Sequence, residues 1–239
     1  MRADVDLRAF AELAQREQLC LSCTGRLAAR LGFGLTNHER GQALLATRAM
    51  LAEAEGKVGE TSYFHDGTPA PAPNECGLCE GLCGEVAQLA QMVLEALDGI
   101  ELATFQVGTV VNEETLAREK ELQMISGGHG EPLKSQLNRE IGSRVADLSG
   151  LTPKRDIPDA VIVVDTRYDT VDLQLRSLFI EGRYTKTDRT IPQTRWPCRE
   201  CHGRGCERCN SSGQMYPESV QSLVAGPLLE AAGASEDKF

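Results

Sequence analysis

The chain has 239 residues, 41% of them hydrophobic, nine cysteines and a formal net charge of −10. That size can bury a sizeable core in one or two domains, and no apolar run is long enough to span a bilayer. The opening MRADVDLRAF lacks the charged-then-apolar layout of a signal peptide, so the expectation is a soluble, cytoplasmic protein with no membrane partner.

In chain order, Leu7, Phe10, Ala11 and Ala14 recur at helical spacing and predict a first helix ending near Cys20. Arg26 to Leu31 reads as a second, short helix closed by Gly32 and Gly34. Thr36 and Glu39 have the spacing of a capping box, in which the threonine hydroxyl accepts from a free amide while the glutamate reaches back. Leu44, Leu45, Met50 and Leu51 continue that helix. Residues 55–75, with the run GTPAPAPNE, read as a loop. Val86 to Leu97 is helical again. Ala103 to Gly108 reads as a strand, Asn112 to Leu122 as a helix with an acidic first turn, and Pro132 to Leu148 as a further helix. Ala160 to Val164 has the β-branched, apolar character of a buried strand. Val171 to Leu175 alternates like a half-exposed strand, and Ser177 to Ile180 is expected to pair with it. Strands mixed with helices in this order predict an α/β (α+β) domain at 84–195. A helical zinc-stapled module at 1–83 precedes it, and a zinc ribbon or knuckle at 196–239 follows.

Eight of the cysteines form four C-x-x-C pairs. In a reducing cytosol that pattern reads as metal ligation before disulfides. Two pairs make one tetrahedral site, each supplying two thiolates about 2.3 Å from zinc. In CRECHGRGCERC the residues Cys198, Cys201, Cys206 and Cys209 lie close together, and Gly203 and Gly205 allow the chain to turn back with positive φ. His202 is left as a bystander, because four thiolates already fill the shell. The second quartet is long-range: Cys20 and Cys23 with Cys76 and Cys79, Cys83 being an alternative to Cys79. Closing such a loop costs about 3 to 4 kcal/mol of chain entropy, whereas structural zinc returns on the order of 10 kcal/mol. The bland alternative is a set of buried thiols. A thiol-exchange motif fits four paired knuckles poorly, and nothing marks an open coordination position. Two structural Zn2+ ions and no catalytic metal are therefore expected.

Residues 1–133 hold 20 acidic and 10 basic side chains, so this part carries the whole deficit. Between 134 and 155 there are 5 basic and 2 acidic residues, and between 176 and 208 there are 8 and 4. Lys134, Arg139, Arg144, Lys154 and Arg155 form the first basic segment. Arg176, Arg183, Lys186, Arg189 and Arg195 form the second, with Tyr184 and Trp196 among them. Cations neutralise phosphates and planar rings stack on unpaired bases, so Lys134, Arg139, Arg144, Arg176, Arg183, Lys186, Arg189 and Arg195 are candidate RNA contacts. An ordinary solvated surface is the alternative. The glycines at 32–34 and 127–130 lack the strand-then-helix context of a phosphate loop, and His38, His65 and His129 are isolated.

CLSCTGRLAARLGFGLTNHERG, LKSQLNREIG and LFIEGRYTKTDRTIPQTRWPCRECHGRGCERCNSSGQMYPESV resemble the archaeal tRNA pseudouridine synthases that act on T-arm positions 54 and 55. The likeness runs over nearly the whole chain and is least distinctive at 55–75. It implies a zinc-bearing N-terminal module with a THUMP-type RNA-binding domain and tRNA as partner. It also maps Cys20, Cys23, Cys76 and Cys79 onto one zinc and the later quartet onto the family's second cluster. In the family a synthase domain follows, whose aspartate attacks the flipped uridine before the base rejoins through carbon. That aspartate lies beyond the region matching GASEDKF. The expectation is hence that these residues hold no catalytic group and need the synthase domain, missing or on a separate chain, for turnover. Two rivals are a stand-alone zinc-containing RNA-binding adaptor and a chaperone-type zinc module, since CRECHGRG is similar to the C-x-x-C-x-G-x-G repeat of chaperone zinc domains.

Overall fold

The computed structural model describes residues 6–56, 70–125, 127–177, 179 and 181–233. They form a mixed α/β fold in two compact units, Met1–Leu178 and Phe179–Phe239.

The first unit opens with three helices. Asp6 caps α1 (Leu7–Arg16) by accepting from the N–H groups of Arg8 and Ala9. Phe10, Leu13 and Ala14, at helical spacing, face the core. α2 spans Leu21–Leu27 and α3 Asn37–Ala54. The capping box is present: the Thr36 hydroxyl accepts from the Glu39 N–H, and the Glu39 carboxylate accepts from the Thr36 N–H at 2.7 Å. The helix expected over 26–31 instead begins at Leu21, with Cys20 in the N-cap position but making no side-chain cap, and is spent by Leu27. Apolar periodicity hid this because α2 is built of small and polar residues pressed onto α3. A Cβ on Gly25 would fall inside van der Waals contact of the Asn37 carbonyl, and one on Gly41 inside that of Leu21. The two backbones thus cross in direct contact. Within the expected loop, Pro73–Glu75 forms a 3-10 turn, and 57–69 lies outside the described residues.

α4 (Val86–Ala96) leads into β1 (Thr104–Val110), α5 (Glu113–Ile125) and α6 (Leu133–Ser149). Then come β2 (Thr152–Pro153), β3 (Ala160–Asp165) and β4 (Thr170–Leu175). The sheet order is β2-β1-β3-β4, with β1 parallel to both neighbours and β4 antiparallel to β3. Register sets Phe105 beside Ala160 and Val107 beside Ile162. With period-2 alternation this puts Phe105, Val107, Ala160, Ile162 and Val164 on one buried face. α4 and α6 cover it with Leu89, Val93, Leu133, Leu137, Ile141 and Val145. α6 ends at Gly150, which takes the left-handed conformation (φ 75°) that glycine adopts without strain. The same hydrophobic cluster runs on into Phe10, Leu13, Leu19 and Leu44, so the opening helices share the sheet's core. Of the strand expected over 177–180, Ser177 and Phe179 are not in a strand, and Leu178 and Ile180 lie outside the described residues.

The second unit carries a cysteine-rich turn region and α7 (Val220–Ala232), a helix not anticipated from the sequence. The Ser219 hydroxyl accepts from the Ser222 N–H at its start. No helix among the described residues is long and apolar enough to cross a membrane.

Candidate metal centres and nucleic-acid surface

Cys20 is the N-cap of α2 and Cys23 lies in its first turn, while Cys76 closes the 3-10 turn at 73–75 and precedes Cys79. Their four sulfurs lie within 4.8 Å of one another, and all four residues are buried. Tetrahedral vertices about 2.3 Å from a zinc stand about 3.8 Å apart, and the Sγ atoms of Cys20 and Cys79 are separated by 3.8 Å. Disulfide sulfurs would sit about 2.05 Å apart; all nine cysteines are free. The Cys20 backbone N–H donates to Cys76 Sγ at 3.2 Å, as it would to a thiolate. Hydrogen bonds among the four thiols split their acidities: those from Cys20 and Cys23 bring Cys76 down to about 6, while Cys20 and Cys23 themselves are raised. Cys83 Sγ stands 3.8 Å from Cys23 but outside the group of four.

Beside this centre is a buried cation that sequence reasoning missed. Arg26, 2% exposed, pairs with the carboxylate of Glu119, donates to the Glu131 carbonyl at 3.2 Å and reaches Cys23 Sγ at 3.5 Å. Glu119 also accepts from the Leu133 N–H at the start of α6, at 2.7 Å. Burial opposes the charge on Arg26, yet Cys23 and Glu119 hold it above the usual guanidinium range. The cysteine quartet, α5 and α6 are thereby tied together through one guanidinium.

The second centre joins Cys198, Cys201, Cys206 and Cys209, again within 4.8 Å. Cys198 and Cys206, and likewise Cys201 and Cys209, are 3.8 Å apart, and Cys206 to Cys209 is 3.7 Å. Backbone N–H groups of Gly205 and Cys206 donate to Cys201 and Cys209, both at 3.2 Å. The bond from Cys206 is the main reason that the Cys209 thiol falls to about 6. Gly203 and Gly205 have φ of 93° and 87°, the turn that their positions implied. A Cβ on Gly205 would also meet the Ser211 carbonyl at 2.9 Å. His202 is exposed and outside the quartet. In both groups the donor set, all thiolate with tetrahedral edges and N–H support, fits a closed structural metal site.

The candidate RNA contacts are spread out. Lys134, Arg139 and Arg144 lie on α6, but a step of five residues turns each about 140° from the last, so they do not share a face. Arg139 is paired with Glu131 at 3.0 Å, and Arg176 with Asp159 at 2.8 Å. Arg183, Lys186 and Arg189 are exposed in irregular chain of the second unit, and Arg195 is half-buried. Trp196 and Tyr216 pack edge to face at 6.5 Å.

Set against known proteins, residues 89–165 match the family model described as the archaeal Pus10 THUMP domain, and residues 179–239 match that of the Pus10 C-terminal region. The chain belongs to the Pus10 family. The THUMP match runs from within α4 to the end of β3, and the C-terminal match coincides with the second compact unit. A protein of Methanothrix thermoacetophila named tRNA pseudouridine synthase Pus10 is 38% identical over 92% of this chain and 52% of its own length. Proteins of the same name from Halorubrum lacusprofundi and Methanocaldococcus jannaschii are 36% and 34% identical, over 92% and 95% of this chain and 51% and 54% of their own lengths. The chain thus spans about half the length of these Pus10 relatives. No solved structure was found to match it. The first cysteine quartet precedes both matched segments, whereas the second falls inside the Pus10 C-terminal match.

Proposed function

We propose that these residues are the tRNA-docking part of a tRNA pseudouridine synthase that isomerises uridines 54 and 55 of the T-arm. In this reading docking is the contribution of these residues, and the isomerisation belongs to the whole protein, including the catalytic domain. The observation that carries it is the likeness, over 92% of the chain, to relatives bearing that enzyme's name. The two cysteine quartets fit Zn2+ on donor chemistry: Cys20, Cys23, Cys76 and Cys79 would hold one ion, and Cys198, Cys201, Cys206 and Cys209 the other. A closed thiolate site supplies folding energy and no open position for substrate. The THUMP region provides the platform, and the basic residues from Lys134 to Arg195 supply charge for phosphate contacts.

The test is equilibrium binding of the zinc-loaded chain to a fluorescent tRNA transcript, with heparin and polyglutamate as competitors. Docking requires tRNA to be held at least tenfold more tightly than either acidic polymer. Equal competition would refute it.

A further inference from the structure

We infer that a groove in the first unit, running from the α2–α3 connection along α6 to the end of β2, binds a single-stranded segment of RNA. The choice of RNA rests on the reading above, and the place on geometry. Two cavities of about 500 and 660 Å³ meet at Ser135 and Arg139, which line both. The first also has Arg30, Arg40 and Glu131 in its wall, and the second Lys154 and Arg155. Five cations and one carboxylate thus line one continuous track on a chain whose net charge is −10.

The cations divide by role. Arg40 is held by the Leu31, Gly32 and Leu35 carbonyls and by Asn37, so it contributes charge while fixing the wall. Arg139 is paired with Glu131. Arg30, Lys154 and Arg155 are exposed, and among the described residues they have no ion-pair partner. Unpaired cations strung along one groove suit repeated phosphates better than a single anion. A second observation points to bases. Phe33 is 109% exposed, between glycines with φ of 67° and 85°, two residues from Leu35 in the groove wall. Phe33 lines neither cavity itself but stands in the chain between Arg30 and Leu35, which do, and a bare ring so near a basic track can stack on an unpaired base, which a duplex does not offer.

The experiment measures affinity of the full chain for a fluorescein-labelled single-stranded oligoribonucleotide of about eight nucleotides, and separately for intact tRNA. The variants are Arg30→Gln/Lys154→Gln/Arg155→Gln, Ser135→Trp to block the junction, and Phe33→Ala. Arg16→Gln/Lys120→Gln/Arg167→Gln, at exposed cations that line neither cavity and lie outside the candidate RNA contacts, is the control. All substituted side chains are exposed. The groove triple should weaken the oligonucleotide at least tenfold. It should also make the log–log salt dependence shallower by about 2, from three phosphates at about 0.7 each. Ser135→Trp should match that loss, Phe33→Ala should cost about fivefold, and the control should stay within twofold. If the groove triple and Ser135→Trp both stay within twofold, or the parent chain binds no oligonucleotide, the groove is wrong. Tight tRNA binding untouched by these variants would sink the groove and leave the docking reading standing. Groove-dependent oligonucleotide binding without preference for tRNA would do the reverse.

Discussion

Replacing Arg26 with Met keeps most of the buried stem and removes the guanidinium. The side chains of Arg26 and Glu119 are 3% and 8% exposed, so neither loss is made good by water. Among the described residues Glu119 would retain only the Leu133 N–H, while the Glu131 carbonyl and Cys23 sulfur would each lose a donor. Breaking a buried ion pair by removing one partner costs about 3–5 kcal/mol, because a buried charge is left uncompensated. For a chain of this size each 1 kcal/mol is about 2–4 °C in Tm, so a fall on the order of 10 °C is expected. Arg26→Met/Glu119→Leu should recover part of the loss, since it deletes the stranded carboxylate too. Circular-dichroism melts of the zinc-loaded proteins measure the stability. Transfer of zinc to a chromogenic chelator measures the centre, and should be faster in Arg26→Met. A destabilisation below about 1 kcal/mol, the range of an exposed pair, together with unchanged zinc release would refute the reasoning.

Gly25→Ala forces a methyl group into the Asn37 carbonyl across the α2–α3 crossing. It should cost about 1–3 kcal/mol or more in urea denaturation, whereas Ala at exposed Gly182, whose added Cβ meets nothing and whose φ is not positive, should cost little. The Asp159 carboxyl is held below the ordinary carboxylate range, chiefly by the Thr104 hydroxyl and then by the Thr104 and Ala103 N–H groups. A depressed folded pKa stabilises above the unfolded value of about 3.9 and is lost as pH falls through the folded one. The Tm gap between the parent and Asp159→Asn should therefore be open at pH 6 and close below about pH 4. Mass spectrometry under non-denaturing, reducing conditions should find two zinc ions per chain. Cys79→Ser and Cys206→Ser should each lose one ion, and Cys83→Ser should lose none; loss of an ion from Cys83→Ser would place Cys83 in the shell.

Local spacing made much of this molecule legible. The capping box of Thr36 and Glu39 and the turn glycines of the second quartet are decided within a few residues, and sequence shows them directly. Pairing of C-x-x-C knuckles extends that logic to Cys20 and Cys76, 56 residues apart. What stayed hidden depends on tertiary packing. Arg26 and Glu119 are 93 residues apart, and neither carries a mark of burial. The crossing at Gly25 and Gly41 replaces the apolar stripe by which a helix is recognised. β2 has two residues, one of them proline, and exists only because β1 lies beside it. α7 was obscured by Gly226 and Pro227 within it, which read as punctuation. The groove joins Arg30 to Lys154 and Arg155 through the fold, so the basic segments seen along the chain did not reveal it.

The most direct measurement is tRNA affinity of the same preparation before metal is stripped, after stripping, and after zinc is restored. A thiolate-held docking platform predicts tight binding, at least tenfold loss, and recovery. Unchanged affinity in the stripped protein would contradict it.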